Sequence, residues 1–230
     1  MKTDTPQTIY LKDYTPPAFL IDSVDLDFDI QTGGTVVTAT LAMRRNPAVP
    51  GQPLVLDGDE LETLNATVDG KKVPFLETAS TLTITDLPDS FTLQTVVRIQ
   101  PDKNTRLSGF YRSKDGYFTQ CEAQGFRRIT WFLDRPDVMS IYTVTLHADQ
   151  ATYPVLLANG NPVAAGDEAN GRHWARWADP FKKPAYLFAS SPANSTCCVT
   201  ASPPPPAAPY NWPSTSNRAS STSARTRWKR

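Results

Sequence analysis

A chain of 230 residues with 23 basic and 23 acidic side chains carries no net charge at pH 7, so its composition lacks the overall basic excess that draws nucleic acid. Three cysteines, with 21 prolines against 11 glycines, do not suit a disulfide-built secreted module. The charge is uneven: residues 1–189 hold 18 basic groups and all 23 acids, a net of −5, while residues 190–230 hold five basic groups and no acid. Met1-Lys2-Thr3-Asp4 leads into polar sequence and no later run is long enough to cross a bilayer, so the expected setting is the cytoplasm, without signal peptide or membrane partner.

Residues 1–13 read as a loose N-terminal arm. Val24, Leu26, Phe28 and Ile30 then alternate with Asp25, Asp27 and Asp29, a half-buried strand whose acids form its solvated face. Gln31-Thr32-Gly33-Gly34 turns the chain, and Val37, Ala39, Leu41 and Met43 return with the same period, completing a hairpin. Three prolines, Pro47, Pro50 and Pro53, separate this hairpin from a short strand at Leu54-Val55-Leu56. Val68-Asp69-Gly70-Lys71-Lys72-Val73 predicts a second tight hairpin. Leu82 with Ile84, and Phe91, Leu93, Val97 and Ile99, continue the alternation until Pro101, which cannot donate to a ladder. Later strands are expected around Tyr142, Val144 and Leu146, at Val155-Leu156-Leu157, from Trp174 to Trp177, and from Ala185 to Phe188. No helical period persists, and turn-separated strands recur about every ten residues, so the predicted fold class is all-β, an antiparallel sandwich or barrel.

The stretch from Tyr117 to Val138 breaks this pattern. It crowds Gln120, Cys121, Glu122, Gln124, three arginines and five aromatics around Gly125. Functional groups concentrate on such loops when a rigid scaffold holds them. Cys121 has no general base in sequence reach and reads as a small buried spacer. Arg127, Arg128 and Arg135 are expected to pair within the chain, with Asp134 or Asp137, and not with nucleic acid. His147 and His173 read as strand residues.

Thr119-Gln120-Cys121-Glu122-Ala123, then Gly125-Phe126-Arg127 and Leu133-Asp134-Arg135-Pro136-Asp137-Val138, resemble the substrate-amine loop of the M1 family of bacterial zinc aminopeptidases. The resemblance runs from about Tyr14 to Ala189 and includes Asn159-Gly160-Asn161, Gly171-Arg172-His173-Trp174 and Asp179-Pro180-Phe181. It departs at Gln124, where the family has an acid, leaving the loop one unit less negative. It implies that residues 14–189 are the saddle-like N-terminal β domain of such an enzyme, packed on a catalytic domain. It also implies that Glu122 holds the α-ammonium of a peptide substrate's N-terminus and that Gln120 lines the pocket for the first side chain. The family's zinc ligands, a His-Glu-x-x-His helix and a later glutamate, and its Gly-x-Met-Glu-Asn strand are not in this sequence. Two histidines one turn apart are needed to share a metal, whereas His147 is followed by Ala148 and His173 by Trp174. The expectation is a chain with no catalytic residue, no metal ligand and no cofactor of its own, inactive alone, whose intact form uses zinc to release N-terminal residues.

After Ala189 the resemblance stops and Ser, Pro, Thr, Ala and Arg take over. Shifting the frame by one nucleotide lets Ser190 to Thr200 encode Leu-Val-Ala-Gly-Glu-Leu-Asp-Val-Leu-Arg-Asp, which resembles the family's continuation. Thr215 to Lys229 recovers a second such segment at the same offset. Residues 190–230 are therefore read as a disordered Pro/Ser/Arg-rich tail translated out of frame. The alternative is a stand-alone β-sandwich interaction module that docks a protein through the 117–138 loop and the basic tail.

Overall fold

In the computed structural model, residues 10–114 and 116–194 are described, and they form strands joined by turns and single 3-10 turns. The strands are β1 (Phe19–Gln31), β2 (Gly34–Arg45), β3 (Leu54–Asp57), β4 (Glu62–Val68), β5 (Lys71–Lys72), β6 (Leu76–Glu77), β7 (Thr81–Ile84) and β8 (Ser90–Ile99). They continue as β9 (Gly109–Ser113), β10 (Gly116–Gln120), β11 (Ser140–Asp149), β12 (Val155–Ala158), β13 (Asn161–Asp167), β14 (Arg172–Lys183) and β15 (Ser190–Ala193). An eight-stranded sheet runs in the order β13-β14-β11-β1-β2-β8-β4-β5, beside a four-stranded sheet β12-β15-β10-β9 and a three-stranded sheet β3-β7-β6. The all-β expectation holds.

Alternation builds the inner face of the large sheet. Val24, Leu26, Phe28 and Ile30 are buried along β1, and Val37, Ala39, Leu41 and Met43 along β2. Phe19 and Ile21 are buried too, one residue out of phase with Val24, because a bulge after Ile21 resets the register. The turn at Asp69 and Gly70 has positive φ at both residues, 49° and 76°, the geometry that matches the twist of a two-residue hairpin. Asp69 secures it by accepting the Thr92 N–H at 2.8 Å.

Three expectations change. The sheet is antiparallel except where β11 lies parallel to β1, pairing Ser23 with Ile141 through to Asp29 with His147. More than a hundred residues separate those partners, and side-chain periodicity carries no strand direction. The outward acids of β1 are paired as well as half-exposed: Asp25 with Arg176, Asp27 with His147, and Asp29 with Arg172. The neighbours on β11 and β14 supply these cations. Ala185–Leu187 is a 3-10 turn and not a strand, closed by the Phe188 N–H on the Ala185 carbonyl at 3.0 Å after Pro184 sets the entry.

Ser190–Ala193 lies inside the segment read as tail, yet it forms β15 between β12 and β10. The tail from 195 onward and the arm from 1 to 9 lie outside the described residues. Leu11–Asp13, the end of the arm, is a 3-10 turn with no buried side chain. At Tyr14 the chain is tied to the body, its hydroxyl donating to Asp137 at 2.9 Å.

Candidate functional site

β10 ends at Gln120, where it pairs with Gly109 of β9. The chain then reverses over four residues, and the Gly125 N–H returns to the Cys121 carbonyl at 2.8 Å. Cys121 and Phe126 are buried on either side of the reversal, while Glu122, Ala123 and Gln124 are exposed. The result is a knuckle with an apolar root and a polar tip. Gly125 is obligatory here because a Cβ would stand 2.3 Å from the Gln120 carbonyl oxygen and 2.9 Å from the Cys121 Cα. The Glu122–Ala123 peptide bond is cis.

The root is an aromatic cluster. Phe126 meets the edge or face of Phe132, Phe188 and Tyr142, at centroid distances of 4.6, 5.2 and 6.1 Å. Phe28 of β1 stacks on Phe188 from the main sheet. Each such ring contributes about 1.5–3 kcal/mol through burial, and ring pairs of this geometry add about 0.5–1.5 kcal/mol. The knuckle is therefore anchored in the core.

The charges around it are spent on bracing. The Arg127 side chain donates to the Asp134 carboxylate at 3.0 Å, and its backbone N–H to the same oxygen at 3.1 Å. Asp134 is almost fully buried, and burial pushes its carboxyl above the ordinary range against the opposing pull of Arg127. Asp57 receives the Asp134 N–H at 3.2 Å, and an Asp57–Phe132 bridge ties the loop to β3. Arg135 pairs with Asp137 and holds that carboxyl below its ordinary value. Arg128, itself buried, pairs with Asp59 and Glu60. The expected internal pairing is thus observed for Arg127 and Arg135. Arg128 finds its partners in the β3–β4 connection. A single sequence offers no signal for that contact.

Gln120 and Glu122, the two residues expected to bind substrate, stand together at the exposed tip. The Gln120 side-chain amide reaches the Glu122 backbone carbonyl at 3.4 Å. Among the described residues the Glu122 carboxylate has no ion-pair partner, in contrast to every arginine of the loop. Cys121 is buried, and burial raises its thiol pKa, which suits a spacer and not a nucleophile. The histidines do not make a metal site. Both ring nitrogens of His147 are engaged, by Glu168 at 2.6 Å and Asp27 at 3.2 Å. His173 is bound to the Tyr153 carbonyl at 2.8 Å. Among the described residues no cluster of His, Cys, Asp or Glu is arranged to hold a metal ion, and no helix is long and apolar enough to cross a membrane.

The family described as the peptidase M1 N-terminal domain matches residues 21–187. Aminopeptidase N of Caulobacter vibrioides is 48% identical over 192 residues, which cover 82% of this chain and 22% of the relative. Aminopeptidase N of Escherichia coli is 45% identical over 188 residues, 81% of this chain and 22% of that protein. Among solved structures, aminopeptidase A of Legionella pneumophila in complex with aspartic acid aligns at a TM-score of 0.77 and 30% identity, over 80% of this chain and 22% of the other. An M1 zinc metallopeptidase from Deinococcus radiodurans shares the fold at a TM-score of 0.65 and 18% identity, over 76% of this chain and 42% of that one. The chain thus spans 22% of the length of the two curated relatives.

Proposed function

The chain belongs to the peptidase M1 N-terminal domain family, and from that premise we propose that it is the part of a zinc aminopeptidase that receives the free amine of a peptide substrate. Glu122 accepts hydrogen bonds from the substrate α-ammonium, and Gln120 lines the space for the first side chain. The observation that carries this reading is the contrast at the knuckle: the arginines are neutralised in braces, and Glu122 is left exposed and unpaired among the described residues. A charge-assisted hydrogen bond of this kind is worth about 1.5–3 kcal/mol when shielded from water.

The sequence has no His-Glu-x-x-His motif, and on this reading hydrolysis belongs to the remainder of such an enzyme, so this chain alone is expected to cleave no aminoacyl substrate. The surface we assign to packing on that remainder is the end of β11 and β14, where Met139, Ile141 and Phe181 are exposed, Phe181 to 76%. The cytoplasm is the compartment we propose, supported by the unpaired buried thiol of Cys121.

The test is a chimera in which residues 1–189 replace the matching span of the Caulobacter relative. With an aminoacyl anilide as substrate, Glu122→Ala should lower kcat/KM by about 10- to 100-fold, and Phe181→Ser should weaken the chimera's thermal stability more than that of the chain alone. An unchanged kcat/KM for Glu122→Ala in an active chimera overturns the assignment.

A further inference from the structure

A cleft of about 490 Å³ opens between the segment that leads into β1, the connection from β2 to β3, and the end of the 117–138 loop. Its walls are apolar, formed chiefly by Pro17, Phe19, Pro53, Leu54, Val55 and Leu133. Asp57 and Arg135 also line it, beside Thr15, whose carbonyl accepts from Arg135 at 2.7 Å.

The walls are fixed in place. Pro16, Pro17 and Pro53 lock their own φ angles. The Asn46 side chain donates to the Pro17 carbonyl at 2.8 Å, and Arg45 donates to the Gln52 carbonyl at 3.0 Å. Arg135 pins the third side through Thr15. Neither Asn46 nor Arg45 lines the cleft, so these bonds keep it open without filling it. A preformed and mainly apolar concavity of this volume, with a few convergent polar groups, is what small-molecule sites have in common.

The two charged groups keep capacity for a ligand. Arg135 uses Nε and Nη2 for Asp137 and the Thr15 carbonyl, which leaves Nη1 outside those bonds. Asp57 accepts the Asp134 N–H through Oδ2 at 3.2 Å, while its Oδ1 stands 3.7 Å from Arg127, beyond hydrogen-bond length. Asp137 chiefly, and Asp57 more weakly, favour the charged guanidinium of Arg135. An ion of one sign loses to one member of the Asp57–Arg135 couple what it gains from the other. A zwitterion gains from both.

We propose that this cleft binds a free α-amino acid with an apolar side chain. The ammonium donates to Asp57 Oδ1, the carboxylate accepts from Arg135 Nη1, and the side chain lies against Phe19, Leu54 and Leu133. Both charges of such a ligand sit on one carbon, matching an acid and a base at one end of an apolar space. An amino-acid amide lacks the anion, and a short fatty acid lacks the cation. Neither Gln120 nor Glu122 lines the cleft, and binding here does not depend on the role assigned to Glu122. If that role holds, the ligand is of the class released when an N-terminal residue is removed, and the cleft registers product.

The experiment titrates L-leucine, leucinamide and 4-methylpentanoate into the full 230-residue chain labelled with nitrogen-15. L-leucine should shift the Val55 and Leu133 resonances saturably, with a midpoint in the low millimolar range. Leucinamide and 4-methylpentanoate should each act there about fivefold more weakly or less, as expected for half-exposed charges. Asp57→Asn keeps an acceptor for the Asp134 N–H and removes the charge, so it should fold and weaken leucine about fivefold. Val55→Trp, at an exposed position of β3, should block the cleft and abolish the leucine shift at Leu133. The proposal is overturned if leucine produces no saturable shift below about 50 mM, if the three ligands act alike, or if either variant folds and binds leucine as before. Shifts confined to Gln120 and Glu122 would also overturn it, since they report the other site.

Discussion

Replacing Gly125 by alanine tests whether the knuckle is held by backbone packing. The added Cβ would stand 2.3 Å from the Gln120 carbonyl oxygen, 2.9 Å from the Cys121 Cα and 3.0 Å from the Gly109 nitrogen, and side-chain carbons essentially never approach within 3.0 Å. All three are backbone atoms of paired or buried segments, so no rotamer change relieves the clash. Relief requires the end of β10 to move away from the loop, which strains the Gln120–Gly109 pair. Overpacking of this kind costs about 1–3 kcal/mol, and for a domain of this size the thermal midpoint should fall by about 2–12 °C. The control is Gly51→Ala, where a Cβ meets nothing within 4 Å but φ is +76°, so that only the backbone cost of about 1 kcal/mol applies. Thermal unfolding followed by circular dichroism measures both. If Gly125→Ala unfolds no lower than Gly51→Ala, the knuckle is not packed as described.

At Gly58 a Cβ would overlap the Trp131 ring at 2.1–2.6 Å, so Gly58→Ala should displace the indole, lose its 2.8 Å bond to the Thr63 hydroxyl, and show a shift in tryptophan fluorescence together with a lowered midpoint. Arg127→Met strands the buried Asp134 carboxylate and should cost about 3–5 kcal/mol in urea unfolding near neutral pH. Burial already raises the Asp134 pKa, so that deficit should shrink as pH falls and the group protonates; a deficit independent of pH would refute the pairing. The His147 pKa is raised from 6.5 by its hydrogen bonds to Asp27 and Glu168, against desolvation. The cationic ring therefore stabilises the fold fully below pH 6.5, and this contribution is lost as pH rises through the folded-state value. His147→Gln should flatten that part of the stability curve, and an unaltered slope between pH 6 and 8 would show that the imidazole is not the group responsible.

Alternation made the hairpin of β1 and β2 and strand β8 readable, because a half-buried strand writes its burial into every second residue. It said nothing of direction, so the parallel pairing of β1 with β11 could not be foreseen, nor could the salt bridges from Asp25 and Asp29 to Arg176 and Arg172 that follow from it. Aromatic composition near Ala185 suggested a strand, but Pro184 and a local hydrogen bond made a turn that buries Ala185 and Phe188 without a ladder. β15 was hidden for a different reason. Serine and proline at 190–192 lack strand propensity, and the neighbouring strands draw this backbone into a sheet that its side chains do not specify. The proposal for Gln120 and Glu122 rests on the residues around them in sequence, whereas the braces from Asp57, Asp59 and Glu60 depend on contacts across some 70 positions.

On the proposed reading, the exposure of Glu122 has an energetic consequence. An isolated carboxylate in water holds an ammonium by about 1 kcal/mol or less, too little for a site that must select a peptide's N-terminus. Shielding the same pair from solvent brings it to about 1.5–3 kcal/mol, a further gain of roughly tenfold in affinity. The bracing arginines cannot contribute to this, since a guanidinium is itself cationic and offers no acceptor to an ammonium. The gain must come from a second surface that covers the tip of the knuckle and adds a further acceptor. Free leucinamide titrated into this chain should therefore shift the Glu122 resonances only at concentrations in the tens of millimolar or above, and saturation at micromolar concentrations would show that the domain is a complete receptor by itself.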